Sequence, residues 1–164
     1  MKITFQGNPL TLEGNQITAG DVFKDFTCAK NDLSPISLKD TTGVRIFISV
    51  PSLDTGVCDM EVRKFNERAG EVAGASIYTI SMDLPFAQAR WCGAAGVSNV
   101  VTASDYKDKS FAGATGTYIK ELGLLARAAF VVDSAGKVVY AEYVEEVTSE
   151  PNYDAILKAA EAAS

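Results

Sequence analysis

The residues best suited to covalent chemistry in this sequence are three cysteines, Cys28, Cys58 and Cys92, and no histidine accompanies them. Without an imidazole the chain has no Ser-His-Asp triad, no Cys-His pair and no imidazole-ligated zinc. No C-x-x-C and no zinc-ribbon spacing occurs. An odd number of cysteines also argues against a scaffold of structural disulfides. Three interpretations stay open: buried thiols, a reactive thiol or a redox pair.

Cys58 has the most informative surroundings, because it closes the segment Pro51-Ser52-Leu53-Asp54-Thr55-Gly56-Val57-Cys58. That segment follows an apolar, β-branched run over 44–50 and precedes a helical period over 57–71. We therefore expect Cys58 in the first turn of a helix, at the edge of a sheet where ligands bind. Free backbone N–H groups and the helix dipole favour an anion there, and the thiolate is the reactive form of cysteine.

The helix terminus alone is too weak to ionise such a thiol. An isolated thiol has a pKa of about 8.5, and lowering it to roughly 6 requires about 3.4 kcal/mol. A helix N-terminus contributes ~0.3–1 kcal/mol, and ~2 kcal/mol at most. Asp54 and Asp59 oppose the shift. A thiolate at Cys58 thus requires a hydroxyl donor, for which Thr55 is suited, and a cation from elsewhere. Equally, Cys58 could be a small buried residue on the helical face of Phe65.

The elements that position Cys58 follow an alternating pattern. Strands are predicted at 3–6, 10–12, 15–18, 26–30, 36–39, 44–50, 75–81, 100–102, 127–132 and 138–144, and helices at 57–71, 85–94, partly at 108–120, and at 152–162. Glu13-Gly14-Asn15 predicts a hairpin turn between the second and third strands. The order favours a mixed sheet with helices on both faces, an α/β fold in which residues 1–164 form one domain. This is a thioredoxin-like arrangement with an extra N-terminal hairpin.

Composition limits the partners. The formal net charge is −6, and without a Lys/Arg-rich run the chain is not expected to bind nucleic acid or an anionic membrane. The first nine residues lack the apolar stretch of a signal peptide, and no run of 18 apolar residues occurs. We therefore expect a cytoplasmic protein, with the periplasm as the alternative.

The chain resembles the bacterial thiol peroxidases, an atypical two-cysteine branch of the peroxiredoxins. Pro51, Thr55 and Cys58 match the family pattern Pro-x-x-x-Thr-x-x-Cys at the right spacing. Further similar segments extend over nearly the whole chain: Gly7–Pro9, Thr11–Asn15, Val62–Glu67, Ser81–Gln88, Arg90–Cys92, Asn99–Thr102, Gly123–Ala128 and Glu150–Asp154.

The resemblance implies a role for each matched residue. Cys58 is the peroxidatic cysteine, Thr55 orients the peroxide, Pro51 shields the thiolate, Arg127 supplies the cation and Cys92 is the resolving cysteine. It further implies reduction of hydrogen peroxide and alkyl or lipid hydroperoxides, an intramolecular Cys58–Cys92 disulfide, recycling by thioredoxin, a homodimer and no cofactor. Since these cysteines lie on two different predicted helices, closing the disulfide should unwind helix locally, most readily over 85–94.

Each of these residues also has a structural interpretation. Arg127 could form a surface ion pair, Thr55 could be a helix N-cap, Pro51 could end a strand, and Cys92 could be a packing residue. Cys28 is interpreted as structural, Trp91 is interpreted as packing, and Asp59 is assigned no role. At the level of function, the alternatives are a general thiol–disulfide exchange protein, which the missing C-x-x-C disfavours, and a non-catalytic binding domain.

Overall fold

The computed structural model describes residues 2–72 and 74–164 and contains a mixed sheet of seven strands. The strands are β1 (Ile3–Phe5), β2 (Asn8–Leu10), β3 (Leu12–Glu13), β4 (Thr27–Lys30), β5 (Pro35–Ser37), β6 (Val44–Ser49), β7 (Ala75–Ser81), β8 (Val101–Ser104), β9 (Tyr118–Ile119), β10 (Leu124–Leu125), β11 (Ala128–Val132) and β12 (Val138–Tyr143). The helices are α1 (Gly56–Arg68), α2 (Pro85–Ala95), α3 (Ser110–Thr115) and α4 (Tyr153–Ala163).

The large sheet has the strand order β12-β11-β6-β7-β8-β4-β5. β6, β7 and β8 are parallel, as the crossovers through α1 and α2 require, and the outer pairings are antiparallel. All six residues of β6 are buried, which confirms the predicted central strand. This arrangement places the C-terminal ends of β6 and β7 side by side, next to the loops that lead into α1 and α2.

The sheet separates two apolar cores. Alternate residues of β6 point to opposite faces, so Ile46 and Ile48 pack with α1 and α4 while Phe47 packs with α3. The second core contains a cluster of aromatic rings contributed by Phe23, Phe26, Phe47, Phe111 and Phe130. Helices therefore cover both faces, as predicted. No helix among the described residues is long and apolar enough to span a membrane.

The N-terminal hairpin is present, but its strands differ from those predicted. β1 pairs with β2, and the turn lies at Gln6 and Gly7, whose φ angles are 51° and 82°. Positive φ at both turn residues is the geometry that suits a two-residue hairpin. Residues 15–18 form no strand, and β3 pairs instead with β9, far along the chain. The segment 108–120, predicted to be helical in part, contains the helix α3, and Arg127 precedes β11 rather than beginning it.

Candidate active site

The loop between β6 and α1 brings Cys58 to the edge of the sheet. Pro51 is buried just after β6, and Thr55 has the extended backbone of an N-cap. Its hydroxyl does not cap the helix but donates to the carbonyl of Ser52 at 2.9 Å, and the side chain is exposed. Because that hydrogen is already donated, Thr55 Oγ1 can only accept from an incoming molecule. Cys58 lies in the first turn of α1, as predicted, with 0% of its surface exposed.

Arg127 is the cation beside this sulfur. Its Nη2 donates to Cys58 Sγ at 3.2 Å, and the side chain is only 2% exposed, so the surface ion-pair interpretation is wrong. Nε and Nη2 both donate to the carbonyl of Val147, at 3.0 and 2.8 Å. Nη1 donates to Glu61 Oε1 at 2.7 Å. A planar guanidinium bound on three sides has one orientation, so its Nη2 is fixed against the sulfur.

Glu61 was not foreseen from the sequence. It lies three residues after Cys58, so both side chains project from the same face of α1, and it is fully buried. Burial raises the pKa of Glu61 to about 7, although Arg127 acts to lower it. Burial alone would lower the pKa of Arg127, but Glu61 and Cys58 raise it above its ordinary value. The guanidinium is therefore shared between a carboxylate and a sulfur, each of which can carry negative charge.

We expect Glu61 to make stability fall as the pH rises. Its pKa is raised on folding, so the folded chain binds more protons than the unfolded chain between about 4.5 and 7. This stabilising contribution is complete below the unfolded value and is lost as the pH rises through the folded value. Urea unfolding of the reduced protein across this range should show that Glu61→Gln removes a loss on the order of 2–3 kcal/mol. If the free energy of unfolding changed with pH in the same way in the wild-type protein and in Glu61→Gln, the prediction would be wrong.

Asp83 fixes the loop that precedes Cys58. Its Oδ1 accepts from Ser52 Oγ at 2.7 Å, and its Oδ2 accepts from the Leu53 amide and from Ser81 Oγ, each at 2.8 Å. Asp83 follows β7, whose C-terminal end lies beside that of β6. This carboxylate therefore joins the loop before α1 to the loop before α2. Asp83 comes just after the strand that runs parallel to β6, and this position in the sequence could have indicated that it belongs to the site.

Cys92 lies in the last turn of α2, and its side chain points to β8 instead of to Cys58 and Arg127. Its Sγ is 3.4 Å from Thr102 Oγ1 of β8, and it lines a cavity of about 370 Å³ with residues of the 30–32 loop. Trp91, the preceding residue, donates from Nε1 to Asp59 Oδ1 at 2.7 Å. Cys58 and Cys92 are both free thiols here. The structure thus brings together Thr55, Cys58 and Arg127 around one helix start, and it places Cys92 on another helix.

Cys28 lies on β4, in the second apolar core. Its Sγ donates to Asp105 Oδ1 at 3.5 Å. Burial, the charge of Asp105 and this hydrogen bond all raise the pKa of the Cys28 thiol far above its usual range. A thiol held in its neutral form is unreactive, which agrees with the structural interpretation of Cys28.

Comparison with known proteins gives the family. A family model described as Redoxin matches residues 18–157. The chain is 62% identical over 163 residues to a thiol peroxidase of Clostridium acetobutylicum, covering 99% of each. It is 56% identical over 162 residues to the thiol peroxidase of Bacillus subtilis, covering 98% of this chain and 97% of that protein.

A solved structure agrees with these matches. A peroxiredoxin-like protein from Aquifex aeolicus shares the fold with a TM-score of 0.92 at 37% identity, covering 99% of this chain and 97% of that chain. The similarity therefore includes the sheet, the helices on both faces and the N-terminal region. By sequence and by fold, the chain belongs to the redoxin family, and within it to the thiol peroxidases.

Proposed function

We propose that Cys58 is the peroxidatic cysteine of this thiol-dependent peroxidase and that Arg127 holds its sulfur as the thiolate. The single observation that carries the assignment is the buried guanidinium 3.2 Å from Cys58 Sγ. A thiolate at this position requires a cation because the helix terminus supplies too little energy, and Arg127 meets that requirement. The opposing charge of Asp59 is partly offset, since its two oxygens accept from Trp91 and Arg63.

The first step is attack of the Cys58 thiolate on the distal oxygen of a hydroperoxide. An S–O bond forms and the O–O bond breaks, so the sulfur is oxidised to a sulfenic acid that keeps the hydrogen of the distal oxygen. The leaving oxygen takes a proton from solvent and departs as an alcohol or, for hydrogen peroxide, as water. Thr55 Oγ1 accepts a hydrogen bond from the O–H group of the hydroperoxide, because its own hydrogen is donated to the carbonyl of Ser52. Arg127 stabilises the negative charge that passes to the leaving oxygen. Pro51 keeps water from the thiolate.

The second step joins Cys92 to the oxidised Cys58. The Cys92 sulfur attacks the sulfenic sulfur, an S–S bond forms, and the oxygen leaves as water. An external dithiol, thioredoxin, then reduces this intramolecular disulfide by exchange. Because Cys92 faces Thr102 in the reduced protein, α2 has to change conformation before the bond can form. A missing C-x-x-C disfavours the alternative, a general thiol–disulfide exchange protein.

Assembly and location complete the proposal. Large apolar side chains are exposed on the two helices that carry the cysteines and just before α2, namely Met60, Phe86 and Leu84, and a homodimer would cover such residues. Hydrogen peroxide and alkyl or lipid hydroperoxides are the proposed substrates. Residues 1–164 are proposed to fold as one domain. A cytoplasmic location suits a cycle that needs a constant supply of thiol reductant.

Cys92→Ser separates the two steps. We expect reduced Cys92→Ser to consume about one peroxide per chain, since Cys58 still reacts, and then to stop because no internal thiol resolves the sulfenic acid. Peroxide loss with thioredoxin, thioredoxin reductase and NADPH measures turnover, and peptide mass spectrometry identifies the product. The wild-type protein should show a peptide pair linked through Cys58 and Cys92. Sustained turnover by the variant, or a wild-type link through Cys28, contradicts the assignment.

A further inference from the structure

The two helices that carry Cys58 and Cys92 are fastened together by the residues adjacent to these cysteines. Asp59 follows Cys58, Trp91 precedes Cys92, and the indole Nε1 donates to Asp59 Oδ1 at 2.7 Å. The other oxygen of Asp59 accepts from Arg63 Nε at 3.0 Å. A hydrogen bond to a carboxylate is about twice as strong as a neutral one, and here the indole is also partly buried against the first core.

Arg63 contributes two further contacts between the helices. Its guanidinium carbon lies 5.6 Å from the centre of the Trp91 ring, and its Nη1 donates to the carbonyl of Ala95 at 3.4 Å. Ala95 is the last residue of α2. Asp59, Arg63 and Trp91, which we call the interhelix clasp, therefore bind the first half of α1 to the last turns of α2.

The clasp holds Cys92 in a direction that does not lead to Cys58. Successive residues of an α-helix are rotated by about 100° around its axis, so Trp91 and Cys92 point to different sides of α2. While Trp91 contacts Asp59, the Cys92 sulfur lies beside Thr102 of β8. While α2 keeps its helical form, turning the sulfur towards α1 means rotating the helix, and that rotation takes Trp91 away from Asp59. Gly93, inside this end of α2, lowers the cost of unwinding it.

We propose that the interhelix clasp sets the rate at which the disulfide closes, by keeping Cys92 turned away from Cys58 until Trp91 is released. Asp59, Arg63 and Trp91 are then positioning residues for the second step, and in the first step Asp59 acts only through its charge beside Cys58. The inference rests on the proposed roles of Cys58 and Cys92. It assigns a role to Asp59, for which the sequence indicated none, and it extends the interpretation of Trp91 as a packing residue.

Trp91→Phe is the primary test, because it removes the donor and keeps an aromatic ring. After one equivalent of peroxide, acid quenching and alkylation followed by mass spectrometry measure how fast free Cys92 disappears. We expect closure to be about tenfold faster, the equivalent of about 1.4 kcal/mol of lost restraint. Asp59→Asn keeps an acceptor for Trp91 but loses the charge, so its rate of disulfide closure should lie between those of the wild-type protein and Trp91→Phe. Lys64→Met is the matched control, since Lys64 lies on the same helix but forms its ion pair with Glu150 instead of contacting α2.

A second readout separates a positioning role from a merely structural one. A further peroxide molecule converts the sulfenic acid to a sulfinic acid, in competition with disulfide closure. In Trp91→Phe the peroxide concentration that gives half sulfinic protein should rise about tenfold, whereas Lys64→Met, which removes a different side-chain contact of α1, leaves this concentration unchanged. Closure at the wild-type rate or slower in Trp91→Phe overturns the clasp. A wild-type protein whose Cys58 fails to consume peroxide overturns the proposed function instead, so the two failures are distinguishable.

Discussion

Cys58→Ser is expected to abolish peroxide turnover. A serine hydroxyl has nearly the same size but is not ionised beside Arg127, and it cannot form the sulfenic acid on which both later steps depend. Thioredoxin-dependent consumption of hydrogen peroxide and of cumene hydroperoxide measures the loss, which should be at least 10³-fold, a size typical for removal of an essential nucleophile. Circular dichroism should show an unchanged fold, since the side chain is buried and nearly isosteric.

Cys28→Ser is the control for that experiment. Cys28 is buried in the second core, on the opposite face of the sheet from Cys58, and its thiol is held neutral. The Cys28→Ser variant should therefore keep close to wild-type activity. If Cys58→Ser retained thioredoxin-dependent turnover, or if Cys28→Ser were the variant that lost it, Cys58 would not be the reacting cysteine.

Arg127→Met is expected to have the second largest effect. Its loss leaves the Cys58 sulfur without its cation and leaves Glu61 as a buried carboxyl without a partner. The second-order rate constant with peroxide should fall about 10²–10³-fold, as for the loss of one strong electrostatic contact. Iodoacetamide should label Cys58 more slowly at neutral pH, because the sulfur has lost the cation that favours its thiolate. Unfolding should become easier by about 3–5 kcal/mol, because a buried ion pair has lost one of its two partners.

Companion variants separate these effects. Arg127→Met with Glu61→Gln removes the unpartnered ionisable group, so it should recover stability without recovering the rate. Arg127→Lys restores a charge but not the fork that binds Val147, Glu61 and the sulfur together, so it should recover the rate only in part. Arg90→Met, an exposed arginine on α2, is the matched control and should leave both quantities unchanged. An unaltered labelling rate in Arg127→Met means that another group stabilises the thiolate.

The parts of the fold that the sequence predicted are those with strong local periodicity. The buried run of β6 and the helical period of α1 depend on nearby residues, and both were found where expected. The error at Glu13-Gly14-Asn15 has a different origin. A good local turn signal was overridden because β3 pairs with β9, and no local pattern reports a partner so distant in sequence. Residues 108–120 were predicted to be helical only in part, and the helix α3 stops where Gly116 adopts a left-handed conformation.

The site was predictable where the type of a residue and its immediate neighbours indicate its chemistry. Thr55 and Cys58 belong to one loop and helix start, and the weakness of the helix terminus already implied that a cation must come from elsewhere in the chain. Glu61 was missed because a carboxylate does not fit the apolar face of a helix that packs against a core. Only the fold shows that the guanidinium of Arg127 lies beside it as a buried partner. The direction of the Cys92 sulfur was equally hidden, since it depends on how α2 is rotated against β8.

The position of Cys28 also limits mispairing. Three cysteines permit three different intramolecular pairs, and an oxidant present in excess could in principle produce any of them. Cys28 lies within β4, on the aromatic side of the sheet, and its thiol is donated to Asp105. Because Cys28 is withdrawn in this way, the proposed Cys58–Cys92 disulfide would form without a competing link through Cys28, and the fold itself would guard the chain against scrambled crosslinks.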